Sequence, residues 1–164
     1  MQAKTKTSGS TAFDEGRARE IIAAYLGSEG PLLPILHAFN AEFGYVSEEA
    51  VPFIASALNL TRAEVHGVVT FYHDFRREPA GRHVLKICRA EACQSMGSEK
   101  IAERLLAALA VDWHGTTRNG EITVEPVYCL GLCACGPAAL LDGKPLGRFS
   151  AGRLEAALLE ARES

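Results

Sequence analysis

The chain has 164 residues, 48% hydrophobic and 23% charged, with a formal net charge of −3. That composition suits one globular domain or two small ones, supplies no basic stripe for nucleic acid, and has no run near the roughly 20 apolar residues a membrane span needs. The opening "MQAKTKTSGSTA" lacks an apolar core, so it predicts a disordered tail over residues 1–14 instead of a secretory signal, and with it a reducing, cytoplasmic compartment.

From Glu15 onward apolar residues recur at helical spacing, as in Leu32, Leu36, Phe39 and Phe43, with Pro31 suited to a first helical position. This predicts a helical N-terminal domain over residues 15–77. Ser47 before "EEA" marks a helix running to Leu58, in which Pro52 is expected to remove a hydrogen bond and bend the axis. "TRAE" (61–64) is a capping box opening another helix. The aromatic run Phe71, Tyr72 and Phe75 reads as packing. His37, His66, His73, His83 and His114 read as solvated or packed, because none replaces a cysteine at a ligand position.

"EPAGR" (78–82) is the linker. After it "HVLKIC" predicts a strand that delivers Cys88 at its end, followed by a helix over 98–110 with Ile101, Leu105 and Leu109 on one face. "EITVEPVYC" predicts a second strand ending in Cys129; "AALLDGKPLGRF" reads as a hairpin with the turn "DGKP", and a helix over 151–162 closes the chain. The order β, α, β, hairpin, α over residues 82–164 is an open sandwich, giving an α+β protein with a helical bundle in front.

All five cysteines lie at or beyond position 88. Cys88 and Cys93 are spaced C-x4-C, and Cys129 and Cys133 C-x3-C, each pair following a strand. Four thiolates, two on each iron, hold a two-iron, two-sulfide cluster, and such a site suits two separated pairs on facing loops. Backbone amides must also face the sulfurs, and Gly131 and Gly136 let main chain approach. Structural zinc is the alternative, although its common pairing is the tighter C-x2-C, and a thiol–disulfide oxidoreductase would show C-x-x-C at a helix start. Four cysteines serving only as small buried hydrophobes is the plainest reading, and it leaves their placement at two strand ends unexplained.

"LLPILHAFNAEFGYVSEEAV", "LTRAEVHGVVTFYHDF", "ICRAEAC" and "CLGLC" together resemble the thioredoxin-like 2Fe-2S subunit of NADH:quinone oxidoreductase (complex I) and its relatives. The relatives include the gamma subunit of NAD-dependent, molybdenum-containing formate dehydrogenase and the diaphorase part of bidirectional hydrogenases. The resemblance runs from about Leu32 to the C-terminal helix. It implies a thioredoxin-like C-terminal domain, Cys88, Cys93, Cys129 and Cys133 as cluster ligands, and a partner subunit carrying FMN and the NAD site. Cys135, in "CACG", departs from the commonest complex I pattern; its spacing of two from Cys133 suits packing under the loop better than sharing an iron. With "RAEACQSMG", "YCLGLCACGPA" and His66 in "AEVHGVVTFYHDF", it brings the chain nearest the formate dehydrogenase branch, which implies a molybdenum-containing large subunit as a second partner.

No nucleophile–base pair and no dinucleotide fingerprint accompany these motifs, so the sequence predicts an electron relay, and the resemblance implies that it works within a larger oxidoreductase. A zinc-stabilised interaction module is the competing class.

Overall fold

A computed structural model of the chain describes residues 13–163. The tail expected over 1–14 lies outside the described residues except for its last two. The Phe13 ring lies 5.7 Å from Phe53 and 6.1 Å from Phe43, and Asp14 accepts the Arg17 N–H at 2.7 Å. The chain divides into two compact units, residues 1–79 and 80–164.

The first unit contains α1 (Glu15–Tyr25), α2 (Leu32–Phe43), α3 (Ala50–Leu58) and α4 (Arg62–Phe71). Its core gathers Ala18, Ile35, Leu36, Phe39, Ile54 and Val65, the inward faces of four amphipathic helices. The Pro31 carbonyl accepts the Ile35 N–H, so the proline opens α2 where its missing donor costs nothing. α4 begins with a complete capping box between Thr61 and Glu64. Helix α3 starts later than expected, at Ala50, after a turn in which the Ser47 carbonyl and hydroxyl both accept the Ala50 N–H. Pro52 is therefore the third helical residue, where an N–H has no intrahelical acceptor, and the expected bend has no cause. The aromatic run divides: Phe75 is buried and meets His37 edge-on at 5.0 Å, while Phe71 and Tyr72 are exposed.

The second unit holds β1 (His83–Cys88), α5 (Glu91–Ser95), α6 (Ser98–Leu109), β2 (Ile122–Val127), β3 (Ala138–Leu141), β4 (Lys144–Gly147) and α7 (Ala151–Glu163). The sheet order is β2-β1-β3-β4, with β1 and β2 parallel and the other pairings antiparallel. Leu85 and Ile87 of β1 and Val124 of β2 cluster with Ala102, Leu105 and Leu106 of α6 and Leu154 and Leu158 of α7. The hairpin turn is the two-residue Asp142-Gly143, both at positive φ, with Lys144 already paired to Leu141; that is the geometry a tight hairpin requires, and shorter than "DGKP". Asp142 also accepts from the Val84 N–H and the His83 Nδ1, each at 2.8 Å, tying the turn to the start of β1.

Candidate metal centre

Parallel pairing brings the ends of β1 and β2 to one edge of the sheet. Cys88 stands opposite Val127, and the Arg89 N–H extends the ladder by donating to the Val127 carbonyl at 2.8 Å. The loops after both strands leave from that edge, where ligands collect in open sheets with parallel strands. Cys88 closes β1. Cys93 lies in α5, a short helix that the sequence pattern did not signal, because five residues are too few for a helical period and the preceding Ala90, at the N-cap, offers no capping side chain.

Cys129 lies two residues beyond β2, and Cys133 opens a 3-10 turn that ends at Cys135. Cys129 has φ = 90°, a backbone region that costs a non-glycine residue about 1–3 kcal/mol. The N–H groups of Ala90, Cys129 and Leu130 lie close enough to the Cys88 sulfur to favour its thiolate, and the Gly131 N–H donates to the Cys129 sulfur at 3.4 Å. Gly131, at φ = 73°, fits the turn without a side chain. Gly136 is buried against the first loop; a Cβ there would lie 3.7 Å from Cys93 Sγ and 3.4 Å from the Cys133 carbonyl.

The sulfurs form two pairs. Cys88 and Cys93 are 2% exposed and lie together within a shell of Ala138, Val127, Leu130 and Leu132, whereas Cys129 and Cys133 are exposed with Sγ atoms 3.8 Å apart. Cys133 is also close enough to Cys88 and Cys93 to interact with both electrostatically. Among the described residues no three His, Cys, Asp or Glu side chains converge as the ligands of a single ion would.

Burial pushes the Cys88 thiol up, but the N–H of Ala90, the Cys93 thiol and the N–H groups of Cys129 and Leu130 outweigh it, leaving Cys88 below the ordinary thiol range. Cys93 is raised by burial and by Cys88, against the opposing N–H of Ala138. Cys133 is raised chiefly by its hydrogen-bonded neighbour Cys129. Crowded thiols surrounded by N–H donors are a donor set for a cationic centre, which removes their mutual repulsion.

The arrangement fits a two-iron cluster. Metal–thiolate bonds of about 2.3 Å on a tetrahedral centre separate two sulfurs by roughly 3.8 Å, the distance between Cys129 and Cys133. Cys135 is tied to the hairpin: its carbonyl accepts the Arg148 N–H at 2.7 Å and its Cβ lies against Gly147 of β4. Of the histidines expected to be solvated or packed, His83 is buried against Asp142 and His66 is exposed on α4.

Residues 18–162 match the family described as thioredoxin-like [2Fe-2S] ferredoxin. Among curated proteins, the chain is 34% identical over 125 residues to a subunit of the NADH-quinone oxidoreductase of Mycobacterium tuberculosis, covering 76% of this chain and 50% of that one. It is 30% identical over 132 residues to HndA, a subunit of the NADP-reducing hydrogenase of Solidesulfovibrio fructosivorans, covering 80% and 77% respectively. The chain thus spans about half the length of its mycobacterial relatives. Among solved structures, an NAD+-reducing [NiFe]-hydrogenase in the H2-reduced state superposes with a TM-score of 0.66 at 26% identity, over 81% of this chain and 22% of that one. A match running from α1 to the last turn of α7 embraces the helical unit as well as the cysteine loops, and the chain belongs to the thioredoxin-like [2Fe-2S] ferredoxin family, with a 2Fe-2S cluster as its cofactor.

Proposed function

We propose that this chain is the one-electron relay of an NAD(P)(H)-linked oxidoreductase complex, with Cys88, Cys93, Cys129 and Cys133 as the cluster ligands. The observation that carries the reading is the pairing of the four sulfurs at one sheet edge, one pair buried and one pair exposed. An all-thiolate two-iron cluster exchanges one electron at a time. The protein supplies the rest. Backbone N–H groups aimed at Cys88 and Cys129 offset negative charge on sulfur, and the apolar shell of Ala138, Val127 and Leu130 excludes water from the buried pair. Placing extra charge in such an environment is costly, so the reduction potential is low. Cys129 and Cys133 lie at the surface, where a redox partner can approach.

That partner is a subunit bearing FMN and the NAD(P) site. The domain division follows: residues 15–77 grip the partner and residues 82–164 carry the cluster, in the cytoplasm. None of the described helices is long and apolar enough to cross a membrane.

The relatives at 30% identity and above favour a quinone-reductase or hydrogenase setting. The narrower formate dehydrogenase setting, with its molybdenum-containing subunit, rests on "RAEACQSMG", "YCLGLCACGPA" and His66 in the sequence alone. Anaerobic purification tests the relay: two irons and two acid-labile sulfides per chain with a rhombic signal on reduction are expected, and one zinc without sulfide overturns it. Isolation of the complex from its cell, followed by NADH:quinone, hydrogen-dependent and formate-dependent assays, decides the setting.

A further inference from the structure

The 3-10 turn that carries Cys133 is held from behind by the end of the hairpin. Cys135 donates its N–H to the Leu132 carbonyl at 2.8 Å and accepts the Arg148 N–H at 2.7 Å; two residues on, the Pro137 carbonyl accepts the Phe149 N–H at 3.2 Å. Phe149 is buried in the core of the second unit, so this corner cannot drift. Arg148 adopts φ = 49° to make the bond, a conformation unfavourable for any side-chain-bearing residue. From α7 the Arg153 guanidinium donates to the Gly147 carbonyl at 3.1 Å.

Gly147 lies at the centre of this support. A Cβ at 147 would stand 3.0 Å from Cys135 Cβ and 3.3 Å from the Cys135 carbonyl oxygen. Neither atom is the end of a flexible side chain, so added volume must move the turn. The first residue of that turn is Cys133, whose sulfur stands 3.8 Å from Cys129.

We propose that Gly147 is a positioning residue for the cluster, its bare backbone letting Cys135 seat against β4 and thereby fixing Cys133 relative to Cys129. The proposal rests on the ligand assignment above and explains Cys135: its Cβ is the spacer between the ligand turn and the hairpin. Arg153 locks the other side of the same contact by holding the Gly147 carbonyl.

The test uses the full-length chain purified anaerobically, with iron and sulfide measured first. Gly147→Ala is expected to change the g-values of the reduced cluster, shift its midpoint potential, and raise the rate of iron loss to a chelator about tenfold or more, the scale of an overpacked contact. Cys135→Gly removes the opposing Cβ, so the double variant Gly147→Ala with Cys135→Gly is expected to move the signal back toward wild type. A purely structural role would lower the melting temperature without this spectroscopic rescue. Arg153→Met, at an exposed position, is expected to shift the signal in the same direction to a smaller extent, and it decides alone if Gly147→Ala does not fold. Wild type with a full cluster and variants with unmoved spectra overturns the positioning role only; wild type without a cluster overturns the ligand assignment with it.

Discussion

The Sγ atoms of Cys129 and Cys133 stand 3.8 Å apart, although one residue lies in a left-handed backbone conformation and the other opens a 3-10 turn. Two irregular segments are held at a spacing that suits one tetrahedral metal. Replacing Cys88, Cys93, Cys129 or Cys133 with Ser is expected to lose or severely perturb the cluster, measured as iron and sulfide per chain and as the reduced-state signal. Cys135→Ser keeps the Cβ that packs on Gly147 and is expected to retain it. A cluster that survives Cys133→Ser but not Cys135→Ser reverses the assignment.

Removing the metal should reveal the asymmetry between the pairs. Cys129 and Cys133 are exposed while Cys88 and Cys93 are buried, so a brief pulse of alkylating reagent on the apoprotein is expected to label 129 and 133 first. Peptide mass spectrometry reads the order, and the holoprotein is expected to protect all four ligand positions. Equal labelling of both pairs in the apoprotein would mean that the buried pair is not held without metal.

Much of this site was legible before the fold was known, and the boundaries of β1 coincide with "HVLKIC" because a β-branched run between a Gly-Arg turn and a helix-forming segment admits little else. Spacing set out the two cysteine pairs, and the structure brings both to the ends of β1 and β2. What could not be read was how main chain surrounds them. The N–H groups of Cys129 and Leu130 reach Cys88 only because β1 and β2 pair in parallel with Cys88 opposite Val127, and register between strands some 40 residues apart leaves no local trace. The Pro52 bend failed for a related reason: a proline has a different meaning in the first helical turn than in the middle, and Ser47 does not show whether it caps the helix or the turn before it.

The capping box at α4 carries a pH dependence of defined sign. The Thr61 N–H, and next the Thr61 hydroxyl, hold the Glu64 carboxyl below its ordinary range, against a small opposing effect of burial. A carboxyl depressed in the folded state contributes stability that is present above its unfolded value, about 4.3, and is lost as pH falls through the folded value. Amide exchange in α4 is expected to accelerate on acidification through that window in wild type, and Glu64→Gln to flatten the response. Thr61→Ala removes the hydroxyl that serves Glu64 and the Glu64 N–H, at a cost of about 1 kcal/mol. Identical pH profiles for wild type and Glu64→Gln would exclude this role.

Arg89 follows Cys88 and grips Glu99 of α6 with two hydrogen bonds, at 2.6 and 3.1 Å, while its guanidinium lies 5.0 Å from the ring centre of Trp113. Trp113 is the chain's only tryptophan, so its fluorescence reports on the second unit. Arg89→Ala is expected to shift that emission and to lower the stability read by it by about 1 kcal/mol, because the ion pair is partly exposed and screened. An unchanged emission maximum would show that the stacking does not persist in solution.

The two units have separate cores, Phe39, Ile54 and Val65 in the first and Leu85, Ile87 and Leu154 in the second. The four cysteines proposed as ligands, the sheet that positions them and the helices α6 and α7 that cover it fall within residues 80–164. Deleting residues 15–75 is therefore expected to leave a fragment that still assembles a two-iron cluster with the wild-type reduced-state signal. Truncating Leu154, fully buried in the second core, to Ala should by contrast cost about 2–5 kcal/mol and accelerate cluster loss. If the helical unit is the part that grips the partner, the deletion also abolishes co-purification with the flavin-bearing subunit. Retained co-purification would place the grip in the cluster unit, and loss of the cluster from the fragment would show that the second unit depends on the first.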